Sequence, residues 1–310
     1  MRKKRRFYRG VVNHIYQKTS SGDNLFYDYE DYLAFYTIFA VCARSMNIIT
    51  LELSLMRNHF HGLAITESAE ELSSFMDRCC SWYARESNIV IGRKGRLFKK
   101  NFGSAPKWDD KSIRSAINYV GNNPVEKCIC KTAEECRWTF LAYYENRHPF
   151  SEPIILDKTS KPLRRALKEV KAMASLNLPL KHQQLSRMMK TLSSKETEQL
   201  VDYIISEYLP FDYQKLISYY GSYEAMLTAM NSNTGSEHDI HEEWYPESDL
   251  AYSEMIEFVK KERPENMVRS VITLPLEDKH KLAAKLRCHT SGSDRQICRF
   301  LHIPHKKPGE

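Results

Sequence analysis

Between Ile48 and Thr66 the chain can be little other than extended. Ile49, Leu51, Leu53 and Leu55 fall on alternate positions, and Leu63 and Ile65 continue the pattern after a break near Arg57–Asn58. Period-two alternation is the mark of a strand with one buried face. Residues i and i+2 of a strand point to the same side. His59 and His61, inside the run L-S-L-M-R-N-H-F-H-G-L-A-I-T at Leu53–Thr66, therefore project two imidazoles together, with Phe60 on the other face. Two neutral imidazoles on one rigid strand make half of a divalent-metal site. They equally make two half-buried histidines with backbone or water partners, and the spacing alone leaves both readings open.

The 310 residues suffice for one large domain or two ordinary ones. The net charge of +7 favours a polyanionic partner. Eighteen tyrosines against 11 glycines argue against a low-complexity chain. No apolar run reaches the length of a membrane span, and the N-terminus lacks a signal-peptide core. The expectation is a soluble, cytoplasmic protein with no membrane contact. The 8 cysteines fit no zinc-finger or disulfide spacing: Cys79 and Cys80 are adjacent, and Cys128, Cys130 and Cys136 lack a clear fourth partner. They read as reduced, structural thiols.

Arg2–Arg6 is a basic arm, suited either to solubility or to phosphate contact. Tyr8–Tyr16 alternates as a first strand, Gly22–Asn24 reads as a turn, and Tyr29–Ala43 as a helix with an apolar stripe. Ser68–Glu86 is a second long helix, opened by Ser68 with Glu71 three residues on, the pattern of a capping box. In Gly92–Ser104, Arg93, Lys94, Arg96, Lys99 and Lys100 alternate with Phe98 and Phe102. Cations neutralise phosphates and aromatic faces accept unpaired bases, although an ordinary polar hairpin has a similar composition. In Asp109–Pro124, Ile113, Ala116, Ile117 and Val120 give helical spacing, Asp109 or Asp110 caps the start, and Pro124 is expected to end the helix. Tyr119 and Asn123, four apart, share a face.

Taken together, these stretches resemble a family. L-M-R-N-H-F-H-G-L at Leu55–Leu63 resembles the metal-binding signature of the HUH single-tyrosine transposases. G-R-L-F-K-K-N-F-G-S and N-Y-V-G-N-N-P-V at Asn118–Val125 match later landmarks in the same order, and an N-terminal H-I-Y also fits. The REP-associated tyrosine transposase type is the most similar branch, over about the first half of the chain. Arg57 stands where that family usually has proline, and Lys18-Thr19 replaces its usual Arg-Gly. The resemblance implies an α+β, ferredoxin-like antiparallel sheet with helices, followed here by an all-α C-terminal region. It implies His59, His61 and Asn123 as ligands of Mg²⁺ or Mn²⁺, and Tyr119 as the nucleophile that forms a 5′-phosphotyrosine. It also implies single-stranded DNA flanked by a hairpin as the partner, acted on by a monomer or homodimer.

Residues 1–150 are expected to form the catalytic domain, closed by Trp138–Tyr144 as a final strand or a packed aromatic segment. Residues 151–310 are expected to be helical: Leu163–Leu176, Lys181–Leu192, Lys195–Leu209 and a short pair within Tyr213–Met230. Ser232–Asp249 is acidic and turn-rich, and its His238 and His241 suit a solvated loop better than a metal site. Residues 276–303 read as a helix-turn-helix, with Asp294, Arg295, Gln296 and Arg299 facing outward for contact with duplex DNA; a plain helical hairpin is the alternative. Two other functions compete with a transposase. One is a domesticated regulator that binds hairpin DNA without cutting it. The other is a relaxase or replication initiator, which usually orders its motifs differently; no G-x-x-x-x-G-K-[ST] loop is present.

Overall fold

The computed structural model describes residues 7–232 and 249–305. The basic arm at 2–6 lies outside the described residues, as do His238 and His241 with most of the acidic segment. The first half runs β1 (Val12–Lys18), α1 (Tyr29–Ser45), β2 (Ile49–Met56), β3 (His59–Ile65), α2 (Ala69–Ile91), β4 (Gly103–Lys107) and α3 (Asp110–Glu126). The strands form one antiparallel sheet in the order β2-β3-β1-β4. This is the βαββαβ arrangement of a ferredoxin-like α+β fold, with α3 added.

The break near Arg57–Asn58 is a turn: β2 and β3 form a hairpin, with Met56 opposite His59. β1 begins at Val12, four residues later than the alternation from Tyr8 predicts. Gly10, at φ +70°, breaks the extended run, and the pairing of Val12 with both Ile65 and Lys107 starts the ladder.

The two faces of the sheet carry different cores. Ile15, Leu53, Leu55, Phe60 and Ala64 pack with α1 and α2. Val12, Leu63 and Ile65 pack with Ile113, Ala116, Ile117 and Val120 of α3. α1 is the central helix: every residue from Glu30 to Ala43 is buried, as befits a helix covered on all sides. Ser68 caps α2 by accepting from the Glu71 N–H at 3.0 Å. The Glu71 carboxylate reaches past Ser68 to the Glu67 N–H, at 2.7 Å. Asp109 and Ser112 close a capping box on α3. Pro124 does not end α3, which continues to Glu126. Near the end of a helix a proline removes only one hydrogen bond, and the burial of every residue from Tyr119 to Pro124 holds the turn in place.

Trp138–Tyr144 is a packed aromatic segment of short 3₁₀ turns, not a strand. Trp138 stacks on Tyr32 at 4.1 Å and Phe140 on Tyr36 at 4.4 Å. Among the described residues eight α-helices follow: α4 (Lys161–Ser175), α5 (His182–Met189), α6 (Ser194–Tyr208), α7 (Tyr213–Ser218), α8 (Tyr223–Asn231), α9 (Leu250–Glu262), α10 (Leu276–His289) and α11 (Asp294–Leu301). α4 to α6 extend the core around α1, α7 and α8 join the core under α3, and α9 to α11 form a third core that includes Tyr27. No helix among the described residues is long and apolar enough to cross a membrane.

Candidate active site

β3 alternates as its sequence predicts. Phe60 enters the α1–α2 core, whereas Leu63 and Ile65 enter the core under α3. His59 and His61 share the face of Leu63, with ring centroids 5.0 Å apart and planes at 88°. α3 docks on that face through its apolar side. Its flank brings the Tyr119 ring to 5.4 Å from His61 and 5.6 Å from His14. Asn123 lies one helical turn beyond Tyr119 on the same flank.

Three of these groups are buried: Tyr119 is 9 % exposed, Asn123 4 % and His61 0 %. The Asn123 Oδ1 is buried with no hydrogen-bond partner among the described residues, an exception to the rule that buried acceptors are paired. Desolvation, with the positive fields of His61, Lys18 and Lys127, holds the His59 pKa well below the ordinary histidine value, so its imidazole is neutral at neutral pH.

Three neighbours of the site were given no role by the sequence, although His14 and Tyr16 belong to the H-I-Y landmark. His14 is fully buried on β1, with its Nε2 3.0 Å from His61 Nδ1. Asn58, in the β2–β3 turn, places Oδ1 2.6 Å from His59 Nδ1. Tyr16 stacks on His61 at 6.0 Å and lies over Gly103, where a Cβ would overlap its ring. The available signal was the His14-Ile15-Tyr16 alternation on a strand, which puts both side chains on one face.

The basic segment flanks the same end of the sheet. Lys99 N–H donates to Lys18 O at 3.0 Å and Ser20 N–H to Leu97 O at 2.9 Å. Lys18 in turn pairs with His59 across the β1–β3 ladder. Lys94, Arg96, Lys99 and Lys100 are exposed and Arg93 is half-buried. A groove of about 560 Å³ separates this segment from α2, lined by Met76, Cys80, Phe98 and Phe102 among others.

The C-terminal residues divide. Arg295 is exposed and Arg299 half-buried beside Gly22. Gln296 does not face outward: it is buried and closes a capping box with Ser293. The need to satisfy the first N–H groups of α11 outweighs its exposure.

Among the described residues no three His, Cys, Asp or Glu side chains cluster closely enough to hold a metal ion.

The fold and site define a class: an α+β, ferredoxin-like sheet that presents a histidine pair to a tyrosine on a covering helix. No family model matches the chain, and no curated protein does. Among solved structures, the chain is similar to a REP-associated tyrosine transposase bound to a REP hairpin. That likeness has 16 % identity and a TM-score of 0.39, over 44 % of this chain and 81 % of the other.

Proposed function

We propose that this protein is a DNA transposase that cuts and rejoins single-stranded DNA through a covalent tyrosine intermediate. The observation that carries the reading is the placement of Tyr119 against His61, with His59 beside it on the same strand face. A phenol of ordinary pKa ~10 is a weak nucleophile and needs a positioned electrophile. The Tyr119 hydroxyl gives up its proton as its oxygen attacks the scissile phosphorus, the bond from phosphorus to the 3′-oxygen breaks, and that oxygen takes up a proton and leaves as a 3′-hydroxyl. The 5′-phosphotyrosine keeps the bond energy, so rejoining needs no nucleotide triphosphate.

His59, His61 and Asn123 would hold the divalent ion, Mg²⁺ or Mn²⁺. The amide oxygen suits such an ion, whereas the two imidazoles by themselves prefer later transition metals, so the choice of Mg²⁺ or Mn²⁺ follows the family resemblance. The Asn123 Oδ1, buried with no hydrogen-bond partner among the described residues, supports a role as a ligand. When bound, the ion would polarise the phosphate and offset its developing charge. In this reading residues 1–150 carry the chemistry, and Arg93, Lys94, Arg96, Lys99 and Lys100 contact the hairpin-flanked strand. Residues 151–310 support that part, with Arg295 and Arg299 available to duplex DNA.

The test is a denaturing gel of the full chain with labelled hairpin oligonucleotides and Mn²⁺ or Mg²⁺. A metal-dependent, SDS-resistant band lost in Tyr119→Phe and in His59→Ala/His61→Ala is the expected result. The thin ligand set, with only one amide beside two histidines, favours a second reading, a hairpin-binding regulator. A metal-independent gel shift with no adduct across varied hairpins would select it.

A further inference from the structure

We propose that Asn58 and His14 are positioning residues that fix which ring nitrogen His59 and His61 present to a metal ion, Nε2 in both. The inference rests on the metal reading above and concerns side chains to which that reading gives no part.

The Asn58 Nδ2–H donates to the Gly22 carbonyl at 3.3 Å. A carbonyl only accepts, so this contact orients the amide, with its NH₂ toward Gly22 and its oxygen toward His59. The Asn58 Oδ1 also only accepts. Its 2.6 Å contact with His59 Nδ1 therefore requires the proton on Nδ1. A neutral imidazole protonated at Nδ1 carries its lone pair on Nε2. Asn58 is itself held in place, because its backbone carbonyl accepts from the Thr19 N–H at 3.1 Å.

His61 reaches the same state from another element. Its Nδ1 lies 3.0 Å from His14 Nε2 on β1, so a metal bound by His61 takes Nε2. The Nδ1–H then donates to His14 Nε2, and His14 carries its own proton on Nδ1. In both histidines the nitrogen away from the metal donates to a fixed acceptor, the usual way in which an outer group orients a ligand and strengthens its donor atom. One acceptor comes from the hairpin turn and the other from the neighbouring strand. Pairing of β1 with β3 therefore aligns the ligands before any ion arrives.

Two measurements on the full chain decide the matter. The first is long-range ¹⁵N–¹H NMR of the imidazoles in metal-free protein. It should show His59 and His61 protonated at Nδ1, with the His59 bias lost in Asn58→Ala and kept in Asn58→Asp, which retains the acceptor. The second is calorimetric titration with Mn²⁺ alone. Asn58→Ala and His14→Phe should each weaken binding by about 10- to 100-fold, and Asn58→Asp should restore it. Asn58 is half-exposed, so its substitution keeps the test alive if the buried His14→Phe fails to fold. Protonation of either histidine at Nε2 in the wild type overturns the proposal. So does Mn²⁺ uptake that survives both Asn58→Ala and His14→Phe. No Mn²⁺ uptake by the wild type overturns the metal reading and this proposal with it.

Discussion

Glu52 is a buried carboxyl left on its own. It lies on β2, is 2 % exposed, and neither oxygen has a hydrogen-bond partner among the described residues. Desolvation alone raises its pKa well above the ordinary glutamate value. A carboxyl whose pKa rises on folding contributes its full stability below the unfolded value, and loses it as the pH climbs from there toward the folded value. Glu52→Gln removes the titration while keeping the shape. The variant should match the wild type near pH 4 and then gain on it, by up to about 1.4 kcal/mol per pH unit, through neutral pH. Urea melts at pH 4, 6 and 8 measure the gap; a constant difference would mean that Glu52 has found a partner or water. Tyr119 and the two histidines were legible as residues because their chemistry and spacing are local. Glu52 was not, because an alternating strand does not say which of its faces meets solvent.

The element on which the site depends is α3, and a glycine sets how closely it docks. A Cβ at Gly121 would meet Met230 Sδ of α8 and approach Glu52 Oε1 within 2.8 Å. Gly121→Ala should therefore push α3 off the sheet. The obstructing atoms end flexible side chains, so the cost falls at the low end of the about 1–3 kcal/mol typical of overpacking. The urea midpoint should drop, and adduct formation should fall more than stability does, because Tyr119 rides on the displaced flank. An unchanged midpoint would show that Met230 swings clear at no cost. The helix itself was readable from Ile113, Ala116, Ile117 and Val120. Its continuation through Pro124 was not, since packing around Pro124 offsets a penalty that local propensity would impose.

At the scale of the whole molecule, a buried ion pair fastens the α9–α11 region to the sheet domain. Arg269 pairs with Asp31 and donates to Ser87 Oγ at 2.9 Å, and His182 Nε2 stands 3.1 Å from Asp31. Asp28 accepts from the Val268 and Arg269 N–H groups at 3.2 and 2.9 Å. Burial pushes the Asp31 pKa up, but the Arg269 charge and His182 bring it below the ordinary value. Removing one member leaves a buried charge poorly compensated. Arg269→Met should cost about 3–5 kcal/mol and speed hydrogen exchange in α9–α11 ahead of the sheet. Uniform acceleration over the chain would show that the two parts unfold as one.

The sequence by itself determined most of the elements and the face on which the histidines lie, but not the bulge between Thr50 and Glu52 that sends Leu51 to the opposite core from Leu53 and Leu55. Period-two alternation set His59 and His61 on one side of a strand with Phe60 on the other, period 3.6 gave α3 its apolar side, and Ser68 and Asp109 marked helix starts. These signals are local, because backbone geometry relates only near neighbours. Tertiary structure alone decided which faces meet. It brought His14 to His61 across 47 positions and Arg269 to Asp31 across 238. It also turned Gln296 inward and buried Glu52 with no hydrogen-bond partner among the described residues. Those outcomes depend on how layers pack and which buried polar atoms find one another, and no periodicity encodes either.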